Sequence, residues 1–156
     1  MSTPRTARPA AVATATALGG LAALHALWAT GSTFPLRDGD EFVETVIGTD
    51  GGRVPGAGAC LAVAGALSAA AGAALVRGTR SPADAGSTLA RLASLGVRGA
   101  AAALGARGLA GLVASSTGLR PASERFRSLD LAVYSPLCLA LAGGLVTVER
   151  RASAGS

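Results

Sequence analysis

Long apolar runs separated by short polar connections dominate the pattern along this chain. Four runs approach the roughly 20 apolar residues that cross about 30 Å of hydrocarbon: residues 9–30, 57–76, 92–117 and 131–148. A helix of a water-soluble bundle places polar residues on one face every three or four positions, yet 57–76 carries only Ser68. The pattern therefore predicts an all-α fold, a transmembrane four-helix bundle forming one domain over residues 1–156. The first run follows Arg5 and Arg8 as a secretory signal would, but no small-x-small cleavage site follows it and three more runs lie downstream, so it reads as a span. Gly19, Gly20, Gly58, Gly65, Gly72, Gly99, Gly105 and Gly108, set among alanines, offer small surfaces by which membrane helices approach closely.

The first connection, 31–56, is punctuated by glycine and proline as a loop. Within it, 40–47 places Phe42, Val43, Val46 and Ile47 on one helical face and Glu41, Glu44 and Thr45 around the other. This short amphipathic helix reads either as an interfacial shield with its carboxylates in water or as a lid that turns Glu41 or Glu44 inward.

Composition agrees with a membrane setting. Half the residues are apolar and 15% are charged, against about a quarter in an ordinary soluble domain. The fourteen basic residues are all Arg and face nine acids, for a net charge of +5. A pI near 10.9 invites a nucleic-acid reading, but the basic residues are scattered between apolar runs with five aromatics in all, which excludes that reading. Arginine counts near the span ends orient the chain. Arg5, Arg8, Arg77, Arg80, Arg91, Arg150 and Arg151 fall on one side and Arg37, Arg53, Arg120, Arg125 and Arg127 on the other. The expected location is the cell membrane, multi-pass, with both termini cytoplasmic.

Acids and aromatics divide the two sides more sharply. Asp38, Asp40, Glu41, Glu44, Asp50, Glu124 and Asp130 belong to the outer side, and Asp84 and Glu149 to the inner. Trp28, Phe34, Phe42, Phe126 and Tyr134 are all outer, with His25 one turn below Trp28. An aromatic belt occupies both interfaces, so one-sided crowding points to a site there. In the fourth span Asp130, Tyr134 and Cys138 recur at four-residue spacing and share a face; Asp130 reads either as a helix cap or as a site residue, and Pro136 permits a kink. Arg98 and Arg107 lie about nine positions apart and point to opposite sides of the third span. Arg98, near the inner end, reads as snorkelling; Arg107, about 15 Å below the outer end, is placed to seek Asp130, Glu44 or an anionic ligand.

No cofactor and no metal are expected. One histidine cannot ligate a haem from two sides, Cys60 and Cys138 form no C-x-x-C pair, and no phosphate loop, nucleophile triad or zinc ligand set is present. What remains is acid, base and aromatic faces beside an apolar bundle, with membrane lipid and a lipophilic small molecule as partners. A carboxyl group in apolar surroundings favours its neutral form and can donate a proton. On a prenyl chain that would start cationic cyclisation, with aromatic faces stabilising the cation and His25 taking the last proton. The expected catalytic set is Glu44, Asp130, His25, Arg107 and Glu41, and the substrate-binding set Trp28, Phe34, Phe42, Phe126 and Tyr134. A carboxylate paired with Arg107 cannot also be the donor, so Glu44 is preferred as acid and Asp130 as the paired group. The alternative is a non-enzymatic membrane component, a transporter subunit or packing partner, in which Arg107 and Asp130 form a structural pair.

The patches His25-x-x-Trp28, Thr30-Gly31, Phe34-Pro35, Phe126-x-x-x-Asp130 and Tyr134-Ser-Pro-Leu-Cys-Leu139 resemble a family of small actinobacterial four-span membrane proteins of uncharacterised function, over most of the chain. More weakly, the chain is similar to the small integral-membrane terpene cyclases of streptomycete indole-sesquiterpenoid and drimentane pathways. That resemblance implies metal-free cyclisation of a farnesyl chain attached to an indole or related group.

Overall fold

A computed structural model describes residues 7–48, 53–79 and 86–154. Arg5, Asp50, Arg80 and Asp84 lie outside the described residues. Among the described residues all regular structure is helical. The elements are α1 (Ala7–Ala29), α2 (Gly39–Phe42) continued by a π-helical turn over Val43–Ile47, α3 (Ala57–Thr79) and α4 (Thr88–Thr117). A last unbroken stretch joins α5 (Glu124–Leu129), a second π turn over Asp130–Tyr134 and α6 (Ser135–Ala154). Ala7–Ala29, Ala57–Thr79, Thr88–Thr117 and Glu124–Ala154 are long and apolar enough to cross a membrane, which makes this a multi-pass membrane protein by length and composition.

Successive spans run antiparallel. Gly78 near the end of α3 lies against Ala7 and Ala11 at the start of α1, and Arg77 beside it reaches Glu149 near the end of α6. The start of α1 and the end of α6 thus share one end of the bundle, the termini end, and residues 30–48 meet 118–123 at the other, the cap end. All four spans contribute to one core of Leu18, Ala70, Ala74, Val97, Leu141 and Leu145. Outside it, Leu61, Leu92, Leu95, Leu109 and Val113 are exposed. Such an apolar exterior suits hydrocarbon and would be an aggregation hazard in water.

Local chemistry sets the helix ends. Ser87 Oγ accepts the Ala90 N–H at 3.2 Å to start α4, and Gly118, at φ +69°, ends it with its N–H on the Ala114 carbonyl. The fourth span begins at Glu124 rather than 131, because Ser123 Oγ accepts the Phe126 N–H at 3.1 Å and caps the helix there. Asp130 therefore caps nothing and lies inside the helix. Pro136 has no N–H to continue the ladder; the turn before it opens to π spacing, with the Ser135 N–H on the Asp130 carbonyl, and the helix continues through the proline.

The glycines divide in a way the sequence did not reveal. A Cβ at Gly19, Gly20, Gly58, Gly65, Gly72 or Gly99 would meet nothing within 4 Å, so these positions face away from the bundle. Close approach uses Gly108, as expected, and also Gly78, Gly111 and Gly144, where an added Cβ would collide with a neighbouring span. Gly111→Ala should lower stability by about 1–3 kcal/mol through overpacking, whereas Gly65→Leu should leave it within about 0.5 kcal/mol. Thermal unfolding of the detergent-solubilised variants checks both.

Candidate functional site

The cap is assembled from two distant connections. Asp38 Oδ1 accepts the Glu41 N–H at 2.9 Å and starts α2. The following π turn ends at Gly48, whose φ of +83° favours glycine and whose α-carbon lies so close to the Phe126 ring that a Cβ would overlap it. Three hydrogen bonds to this turn hold it to the segment around α5: Ser123 Oγ–H donates to the Glu44 carbonyl at 2.8 Å, the Ser123 N–H to the Gly48 carbonyl at 3.1 Å, and the Tyr134 hydroxyl to the Thr45 carbonyl at 3.2 Å. Thr45, expected on the polar face, is buried, and Tyr134 of the fourth span reaches over to its carbonyl.

The aromatic residues form two groups. Phe42, 1% exposed, meets Trp28 edge-on at 5.1 Å, and Trp28 meets His25 edge-on at 4.8 Å. Phe126 and Tyr134 lie 6.0 Å apart on the other side of the cap. His25 Nδ1 is 2.8 Å from the Leu21 carbonyl, an acceptor, so Nδ1 carries the proton of that bond and a neutral ring presents Nε2 as its acceptor. The Trp28 indole N–H donates to the Phe34 carbonyl at 2.7 Å, while the Phe34 ring itself is 61% exposed. The structure thus gathers His25, Trp28 and Phe42, pairs Phe126 with Tyr134, and leaves Phe34 outside both groups.

The carboxylates have separate fates. Asp130, 1% exposed, accepts from Arg107 Nη2 on Oδ1 at 2.9 Å and from Ser115 Oγ on Oδ2 at 2.7 Å. Ser135 Oγ, fully buried, lies 3.4 Å from Arg107 Nη1. Gly111 makes room for this cluster: a side chain there would overlap Ser135, Arg107 and Asp130 at once. Glu41 points to Arg125 at 3.0 Å and to the Arg37 N–H at 3.0 Å, at the surface rather than toward the bundle. Glu44 is exposed, and its carboxylate pairs with no described residue. The cap does not turn either glutamate inward: the buried positions of the turn go to Phe42, Val43 and Thr45, so the intervening Glu44 faces out. Cys60 and Cys138 are both free thiols.

A second ionic cluster lies at the termini end. Glu149, 8% exposed, accepts from Arg77 Nε at 2.9 Å, Ser94 Oγ at 2.6 Å and Arg98 Nε at 3.2 Å. The Arg98 guanidinium is two-thirds exposed, as a snorkelling side chain would be, but it also pairs with Glu149 at 3.1 Å through Nη2. Snorkelling alone is therefore the wrong account of Arg98. Sequence reasoning also passed over Gly111 and Ser115, although Arg107, Gly111 and Ser115 follow one another at four-residue spacing on one helix face. Arg125 as the partner of Glu41, 84 positions away, had no local signal.

These features define a small four-span helical membrane protein with a buried carboxylate paired to an arginine at one end, an ionic cluster at the other and an aromatic cap. Residues 18–145 match the model of a family described as "Protein of unknown function (DUF3995)", and the chain belongs to that family. Neither the curated proteins nor the solved structures include a match.

The Asp130 carboxylate is buried while the Arg107 side chain is 45% exposed, so removing the guanidinium leaves an uncompensated buried charge and costs about 3 kcal/mol or more, whereas removing the carboxylate leaves a half-exposed charge. Arg107→Leu should lower the unfolding midpoint strongly and Asp130→Asn less, and the double variant should cost less than the sum of the two. A double-mutant cycle of thermal unfolding in detergent measures this coupling. The Arg37 N–H and the Arg125 guanidinium hold the Glu41 carboxyl below its usual range. Because the folded pKa is the lower one, the contribution of Glu41 to the cap is complete above about pH 4.3 and is lost as pH falls through the folded value. Acid titration followed by the emission of Trp28, the single tryptophan, should show a step below the usual glutamate range that Glu41→Gln removes.

Proposed function

We propose that this protein is a non-catalytic membrane component whose helices pack against another membrane protein. The observation that carries this reading is the disposition of both expected acids: Asp130 accepts from Arg107 and Ser115, and Glu44, the expected donor, is exposed on the outer face of the cap. The ties of Asp130 to Arg107 and Ser115 bind the fourth span to α4 in the manner of a structural pair. The outward row of Gly58, Gly65 and Gly72 on α3, with open space at each, supports the same reading, because small residues at regular spacing let a further helix approach closely.

One observation favours the second reading, proton-initiated cyclisation or isomerisation of a prenylated lipophile. The rings of His25, Trp28 and Phe42 come together from two segments, as cation stabilisation with a nearby base requires. Glu44 would then be the donor, carried inward by movement of the cap. Incubating vesicles that contain the protein with farnesylated indoles and their epoxides, followed by mass spectrometry of the products, separates the two readings. No isomer above protein-free vesicles is expected. A cyclised product that Glu44→Gln abolishes at unchanged protein abundance would overturn the non-catalytic reading.

A further inference from the structure

The termini end carries a cleft unrelated to the aromatic cap. It has a volume of about 440 Å³ and is lined by Arg77, Arg91, Ser94, Arg98, Glu149 and Ser153, among others. That volume falls within the range of small-molecule sites, about 300–1,000 Å³. Among the described residues three arginines and one glutamate line it, a formal excess of two positive charges.

The cluster is preassembled. Glu149 accepts on both oxygens, Oε2 from Arg77 and Oε1 from Ser94 and Arg98, so it fixes two guanidiniums. Arg77 is further held by Ser153 Oγ at 3.2 Å and its side chain is 12% exposed. Arg98 is two-thirds exposed, and only its Nε and Nη2 are engaged, leaving Nη1 to reach outward. Arg91, seven residues earlier and so on nearly the same face of α4, is exposed, and its side chain pairs with no described residue. Two further guanidinium forks are thus available beside a fixed one. That arrangement suits a tetrahedral anion whose several oxygens each accept from a planar fork.

Depth fits as well. At 1.5 Å per residue the 30 residues of α4 span about 45 Å, more than the hydrocarbon alone. Its first turns, with Arg91, therefore reach the headgroup layer, where basic pockets between membrane helices meet anionic lipid.

We propose that this cleft binds a phosphate group through Arg91 and Arg98, with Arg77 and Glu149 as the fixed floor that positions Arg98. The phosphate comes either from an anionic lipid headgroup or from a soluble phosphate compound. The inference is independent of whether the cap end is catalytic.

The test uses the full chain in nanodiscs of phosphatidylcholine alone or with phosphatidylglycerol, and inorganic phosphate as the soluble probe. Lipid retention is read by native mass spectrometry and phosphate binding by the thermal unfolding midpoint. Arg91→Gln and Arg98→Gln are the variants; Arg91 is exposed and its side chain forms no ion pair with a described residue, so it keeps the test clear of misfolding. The expected result is selective retention of phosphatidylglycerol, weakened about fivefold by each substitution. Stabilisation by millimolar inorganic phosphate in phosphatidylcholine, lost in both variants, would support the same site with a soluble ligand. Equal behaviour of wild type and Arg91→Gln toward both probes, or no preference for either, would overturn the proposal.

Discussion

A carboxylate buried between membrane helices has to be paired, and the bundle is organised around that requirement. Asp130 lies inside the fourth span with almost no exposure, where an isolated charge costs several kcal/mol. Its guanidinium and hydroxyl come from α4. Satisfying it therefore fastens the third span to the fourth at one rotation and one depth, and dictates glycine at 111. Glu149 plays the matching part at the opposite end, where its donors come from α3 and α4. Lipid supplies no hydrophobic drive between helices, and an alanine-rich interface offers little shape of its own. The two polar clusters consequently select which faces meet.

The cap depends on backbone carbonyls more than on charge. Phe34, Glu44, Thr45 and Gly48 each accept a hydrogen bond from a residue outside their own turn. Trp28 and Tyr134 thus combine an apolar ring against the protein with a polar tip that ties down the connection, a pairing that interfacial aromatics perform well. The acids of the cap stay peripheral, with Glu41 on Arg125 and Glu44 in solvent. The two ends of the molecule therefore present different chemistry: rings over a hydrogen-bonded turn at one, a concave group of guanidiniums at the other.

The readable parts of the chain were those governed by local hydropathy. Twenty-residue apolar runs declared four spans because hydrocarbon demands internally satisfied backbone over a fixed thickness, and the placement of Arg107 within its run pointed to Asp130. The start of the fourth span was misread because the capping serine lies in a polar segment, where hydropathy carries no signal. Clustered glycines promise contact surfaces, and Gly108 is one, yet Gly58, Gly65 and Gly72 turn outward while Gly78, Gly111 and Gly144 make further contacts. Composition says that a small residue is present; the rotation of the helix says what it meets.

From residue order alone follow the helical class, the number of crossings and the identity of the costly groups, since each is a property of a single segment in its solvent. Which donors answer Asp130 and Glu149, which way the glutamates of the cap point, and that three arginines share one cleft depend on the register between helices. That register emerges from close approaches at particular glycines and from the π turn at Asp130–Tyr134, features that acquire meaning once distant segments are in contact.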